Sequence, residues 1–134
     1  MKRILIIASI ALLTGCASIQ STVQPLVDMI PSFWDDNQAK AAIDIKHKID
    51  KLDCTGNYAS QVGGINDSIS WFISYSEAKK TKDVIKLVTP LKETVEDFAK
   101  KAEKNDVSAT YCNLKKKVMI TQSTRFSQAV LRRF

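Results

Sequence analysis

VIKLVTPLKETVEDFAKKA, residues 84–102, is the stretch whose reading decides the fold. Val84, Leu87, Val88, Leu91, Val95, Phe98 and Ala102 recur at three- and four-residue steps, so a helix gathers them onto one face. Lysines and acids fill the positions between them, and a helix of this kind has to bury its apolar stripe against something else. Pro90 sits inside the stretch and predicts either a kink or a fresh helix start capped by Thr89. Lys100, Lys101 and Lys104 suit the negative end of the helix, and Asn105-Asp106 reads as a turn.

The same pattern extends in both directions. Upstream, Tyr58, Val62, Ile65, Ile69 and Phe72 make a second stripe, interrupted by Gly63-Gly64. Two glycines cost a helix about 2 kcal/mol relative to alanines. Either this helix starts only near Asn66, or the glycines admit close contact with another backbone. Before it, Ala42, Ile45, Ile49 and Leu52 share a face, with Asp35 and Asp36 suited to a first turn and Thr55-Gly56 to a stop. Downstream, Val107, Tyr111, Leu114, Val118, Met119, Phe126, Val130 and Phe134 predict a last helix. Its phase weakens across Val118 to Ser127, where β-branched and hydroxyl residues crowd. Four amphipathic helices joined by short turns predict an all-α, up-and-down bundle over residues 32–134.

The N-terminus has a different character. Lys2 and Arg3 precede an apolar run from Ile4 to Leu13, and Thr14-Gly15-Cys16 follows. The run is too short to span a bilayer, which takes about 20 helical residues, and it fits the core of a secretory signal. Leu13-Thr14-Gly15-Cys16 resembles the lipobox of bacterial lipoproteins: a leucine, two small residues and the cysteine that receives lipid. That resemblance implies a signal at residues 1–15, cleavage before Cys16, and fatty acylation of the new terminus. Ala17, where an aspartate retains enterobacterial lipoproteins in the inner membrane, implies an outer-membrane anchor facing the periplasm. Residues 16–31, with Pro25 and Pro31, read as a tether; a short helix lying on the membrane or the domain is the alternative.

Lipid on Cys16 leaves two of the three cysteines, Cys54 and Cys112. Outside the cytoplasm such a pair is expected to oxidise. In antiparallel order, the end of the first helix and the start of the fourth lie at one end of a bundle, where these two residues fall. Bridges between chains and metal binding are the alternatives, although two cysteines with no histidine nearby make a poor zinc set. Low glycine and proline and 25% charged residues describe a globular domain.

Catalytic patterns are few. The single histidine, His47, lies on the charged face of the first helix. No serine sits in a nucleophile elbow, no Cys-x-x-Cys-His run marks haem attachment, and no glycine-rich loop cradles phosphate. The expectation is a non-enzymatic protein without metal or cofactor. Trp71 and Tyr75, four apart and off the main stripe, are a candidate contact patch, with packing against the tether or a neighbouring helix as the plainer reading. Phe33-Trp34 reads as a cap on the bundle. After Asp106 the chain carries no acid, whereas Lys115, Lys116, Lys117, Arg125, Arg132 and Arg133 are all basic. These six are candidates for binding an anionic surface, with Lys115 to Lys117 and Arg132-Arg133 expected to point outward. The plainer reading is a basic face that pairs with acids on the first and third helices.

The functional expectation is a lipid-anchored envelope protein that acts by interaction, with the membrane and an envelope protein as partners and no nucleic acid. In its anchor alone, the chain loosely resembles phage-encoded envelope lipoproteins, both the outer spanin subunits of lysis systems and superinfection-exclusion lipoproteins. Inhibition of a periplasmic enzyme is a further alternative.

Overall fold

Asp35 opens the first helix by accepting the Gln38 amide on its carboxylate, and Asp36 follows in the first turn, where negative charge meets the positive end of the helix. In a computed structural model describing residues 34–104 and 107–133, four helices follow one another. They are α1 (Asp36–Asp50), α2 (Tyr58–Ala78), α3 (Lys82–Glu103) and α4 (Ala109–Leu131). The signal, the tether, Phe33, the Asn105-Asp106 turn and Phe134 lie outside the described residues. α1 packs on α2 and α4, and α3 packs on the same two, which closes an up-and-down bundle. The core is supplied by all four helices: Ile45 and Ile49 from α1, Ile69 and Phe72 from α2, Leu91 and Phe98 from α3, Met119 and Phe126 from α4. Phe72 meets Phe126 edge to face at 4.9 Å between ring centres, and Phe98 meets Tyr111 likewise at 5.9 Å.

Cys54 and Cys112 are bridged, with Cα atoms 5.7 Å apart. The bridge joins the loop after α1 to the first turn of α4, as the antiparallel order requires. Beside it, Lys116 donates to the Leu52 carbonyl at 2.6 Å, satisfying an acceptor that the end of α1 leaves open.

Three local expectations are revised. α2 runs unbroken through Gly63-Gly64, and a Cβ built on either glycine meets nothing within 4 Å. The helix neither starts late nor uses the glycines for close backbone contact. α3 runs unbroken through Pro90, so Thr89 caps nothing; its hydroxyl donates to the Ile85 carbonyl one turn back. Pro90 is exposed and so is Lys86, whose carbonyl loses its helical donor to the proline and can turn to water. The buried stripe of α4 is Cys112, Met119, Ser123, Phe126, Ser127 and Val130. Leu114 and Val118, expected in the core, stand 58% and 47% exposed, and Leu87 of α3 stands 40% exposed. In α4 the difference lies with two serines. Ser123 and Ser127 donate to the carbonyls of Ile120 and Thr124, so hydroxyls satisfied by their own helix occupy core positions.

The turn from α2 to α3 closes with Lys80 in the left-handed region at φ 56°. The Lys80 amide donates to the Glu77 carbonyl and the Thr81 amide to that of Ser76, the pairing of a Schellman motif in which glycine is the usual left-handed residue.

Two predictions follow from this frame. Replacing Cys54 and Cys112 by Ser together lowers unfolding stability by about 4 kcal/mol, the chain entropy released when a 58-residue separation is no longer closed. Urea unfolding measures the loss, and non-reducing peptide mapping shows the wild-type bridge in monomer. Conversely, Gly63→Ala and Lys80→Gly each raise stability by about 0.5–1 kcal/mol, because the first removes a flexible residue from open helix and the second relieves a left-handed side chain.

Candidate interaction surfaces

The basic residues of the C-terminal segment divide once their partners are known. Lys115 bonds the Asp97 carboxylate of α3 at 2.7 Å and lies over the Tyr111 ring. Lys101 also lies over that ring, and its ammonium donates to the Tyr111 hydroxyl. The Lys115 hydrogen bond holds the Asp97 carboxyl below the usual carboxylate range, and the same bond raises the Lys115 ammonium. Lys116 is spent on the Leu52 carbonyl. Arg133, expected to point outward, turns inward: its side chain is only 8% exposed and its Nη2 lies 2.6 Å from Asp83. Its Nη1 donates to Gln38, whose side chain is fully buried.

That contact completes a polar end to the bundle. The Gln38 amide donates to the hydroxyls of Ser76 at 3.1 Å and Thr81 at 2.7 Å, and the Thr81 hydroxyl donates to the Ser76 carbonyl. Every helix therefore sends a group to this end, α4 through the arginine just beyond it. Burying an amide is tolerable when its donors and acceptor are all met, as they are here.

Lys117, Arg125 and Arg132 remain exposed. Helical spacing sets Arg125 and Arg132 on one face with Leu114 and Val118, and Lys117 on its border. On α3, Leu87 lies on the same side as Asp83 and Asp97, the residues that reach across to α4. The exposed Leu87 thus stands on the flank facing α4. Sequence reading named the cations of this face and missed its apolar members, because Leu114, Val118 and Leu87 all fit a core stripe.

A second surface lies between α1 and α2, an open cleft of about 730 Å³. Ala41, Gly64 and Ser68 are its small residues, Lys40, Asp44, His47, Lys48 and Asp67 are charged or titratable, and Trp71 lines it as well. Lys48 donates to the Ser68 hydroxyl at 2.6 Å, linking the two helices. Trp71 is 53% exposed and stacks on Tyr75 at 5.2 Å. Tyr75 is tied down: its hydroxyl donates to Asp35 and accepts from Asn37 at 3.0 Å. Of the two aromatics only Trp71 presents an open surface. His47 is exposed on the cleft, and no cluster able to hold a metal occurs among the described residues. Trp34 is 39% exposed and donates its indole N–H to Asp36. Comparison with known proteins finds no matching family, no matching curated protein and no matching solved structure.

The division of cations makes a prediction. Lys115→Gln lowers stability by about 0.5–1 kcal/mol, whereas Lys117→Gln changes it by less than about 0.5 kcal/mol. The Lys115 contribution also depends on pH through Asp97. A carboxyl whose folded value is depressed stabilises above its unfolded value, 3.8, and loses that contribution as pH falls through the folded value. Asp97→Asn should therefore be the weaker protein at pH 7, with the gap to wild type closing below about pH 4, in thermal melts across pH.

Proposed function

We propose that the protein is a lipid-anchored envelope protein that acts by non-covalent interaction, with the bundle held at a membrane through Cys16. The observation that carries this reading is the use of the cysteines. Cys54 and Cys112 are consumed by a bridge, which leaves Cys16, at the end of Leu13-Thr14-Gly15-Cys16, as the one thiol open to modification. A bridge between helix-end residues also suits a chain that matures outside the reducing cytoplasm. Diacylglycerol on the sulfur and an acyl chain on the new amine supply several chains, and each buried methylene contributes about 0.8 kcal/mol to membrane affinity. Ala17 supports sorting to the outer membrane, with the bundle on the periplasmic side. The outer face of α4 and the α1–α2 cleft with Trp71 are the surfaces that this reading assigns to contact.

Metabolic labelling with a radioactive fatty acid tests the anchor. The wild-type chain incorporates label, loses residues 1–15 and sediments with membranes. Cys16→Ser incorporates none and is recovered as precursor or as released bundle. Undiminished label in the variant would sink the proposal.

A further inference from the structure

We infer that the outer face of α4, with the flank of α3 beside it, docks flat against an anionic phospholipid surface. This rests on the proposed anchoring for its setting, because a tethered bundle is held near a bilayer. The surface itself is argued from the bundle alone.

Four observations converge on this face. Lys117, Arg125 and Arg132 are the cations of the C-terminal segment that remain exposed after Lys115, Lys116 and Arg133 are taken by partners inside the fold. No acid follows Asp106 in the chain, so α4 offers them no counter-charge of its own. Among the described residues Leu114 is the most exposed large aliphatic side chain, and Val118 follows it and Ile43 of α1. Leu87 adds an exposed apolar side chain on the α3 flank, where the Asp97–Lys115 and Asp83–Arg133 pairs set it level with Arg125, and Lys86 and Lys100 outnumber Glu93 on the adjoining outer turns. The acids on the α4-facing flank are engaged, Asp83 by Arg133 and Asp97 by Lys115 and Lys101.

A face that carries exposed apolar side chains and cations along one line suits a bilayer better than a protein groove. The apolar groups reach the acyl boundary while longer basic side chains spread to headgroup phosphates. From Leu114 to Arg132 the face runs about 27 Å along the helix, long enough to engage several lipid headgroups at once. An acidic protein partner would satisfy the cations but leave Leu114 and Val118 without a stated counterpart. The end of α4 also lies beside the start of α1, since Arg133 bonds Gln38, so the face ends close to where the chain enters the bundle.

The test uses residues 31–134, which carry their own core and disulfide, and therefore does not depend on Cys16. Sedimentation with phosphatidylcholine vesicles, with and without 30% phosphatidylglycerol, reads the partition. Binding is expected only with the anionic lipid, and it should fall as salt rises. Each cation replaced on the face should weaken it roughly fivefold, so Lys117→Gln with Arg125→Gln and Arg132→Gln together should reduce it by about 100-fold. Leu114→Ser with Val118→Ser weakens binding without lowering the melting temperature, since neither side chain serves the core. Lys115→Gln with Lys116→Gln is the contrasting variant, expected to melt earlier while still folded and to bind nearly as wild type. Absence of wild-type binding, equal binding to uncharged vesicles, or a triple variant that binds undiminished overturns the inference. Vesicle binding that persists beside a failed fatty-acid labelling leaves the surface standing and removes the anchor; the reverse pair of results removes the surface and keeps the anchor.

Discussion

An up-and-down bundle of four helices is closed only where its first helix meets its last, and here that closure is made covalent. Adjacent helices are brought together by short turns, but α1 and α4 are far apart in sequence, and their contact carries the largest single loop-closure cost. Cys54–Cys112 fixes that contact at one end, where the Lys116 ammonium also reaches the Leu52 carbonyl. At the other end Gln38 and Arg133 repeat the closure with hydrogen bonds. Between these two fixed points the seam is filled by Ala42, Ile45, Ile49, Met119 and Phe126, all buried. The bundle can afford serines in its core because the closure does not rest on apolar area alone.

The polar end and the disulfide end differ in what they ask of the chain. The bridge tolerates exposed loops around it, and Asp53, Thr55 and Gly56 are all exposed. Gln38, by contrast, demands complete satisfaction, since an amide left without partners in that position costs about 1–3 kcal/mol. Its three partners come from the end of α2, the start of α3 and the residue pair after α4. Thr81 shows the accommodation involved. It stands at the N-cap of α3 but makes no cap bond there, its hydroxyl being used by Gln38 and Ser76.

Much of this architecture is legible in the sequence, and the exceptions have physical causes. The stripes of α1, α2 and α3 could be read because their core positions are apolar, apart from Gln38 and Ser76, and their outer positions mostly charged in α1 and α3 and mostly small or polar in α2. The cysteine pairing could be read because the expected topology and the expected export pointed to the same two residues. In α4 the periodic signal failed, since two core positions are serines and two outer positions are Leu114 and Val118. A count of apolar spacing then settles on the wrong phase. The cysteine at 112 was the available correction: it must face α1, and steps of seven from it reach Met119 and Phe126. Gly63-Gly64 misled in another way. Glycine signals a break or a close approach in most helices, and here the neighbouring Val62, Ile65 and Ile69 hold the helix through by burial alone. For the candidate surface, the sequence supplied the cations but not their partners. Whether a lysine is a structural strut or a free charge depends on an acid eighteen residues away, as with Asp97 and Lys115.

That sorting of charge changes what the basic segment can mean. Six cations in 28 residues suggest a diffuse positive field, which would attract any anion without orientation. Removing Lys115, Lys116 and Arg133 leaves three charges confined to one side of α4, and a confined set has direction. Exposed aliphatic side chains on the same side add a second condition that a simple anion cannot meet. Keeping leucine and valine in water at positions where a helix would accept lysine or glutamate forgoes solubility for no gain in folding, since neither side chain serves the core. The pairing of exposed apolar groups with uncompensated cations therefore selects for a counterpart that is both anionic and apolar within a few ångströms of depth. A bilayer surface has that layered composition.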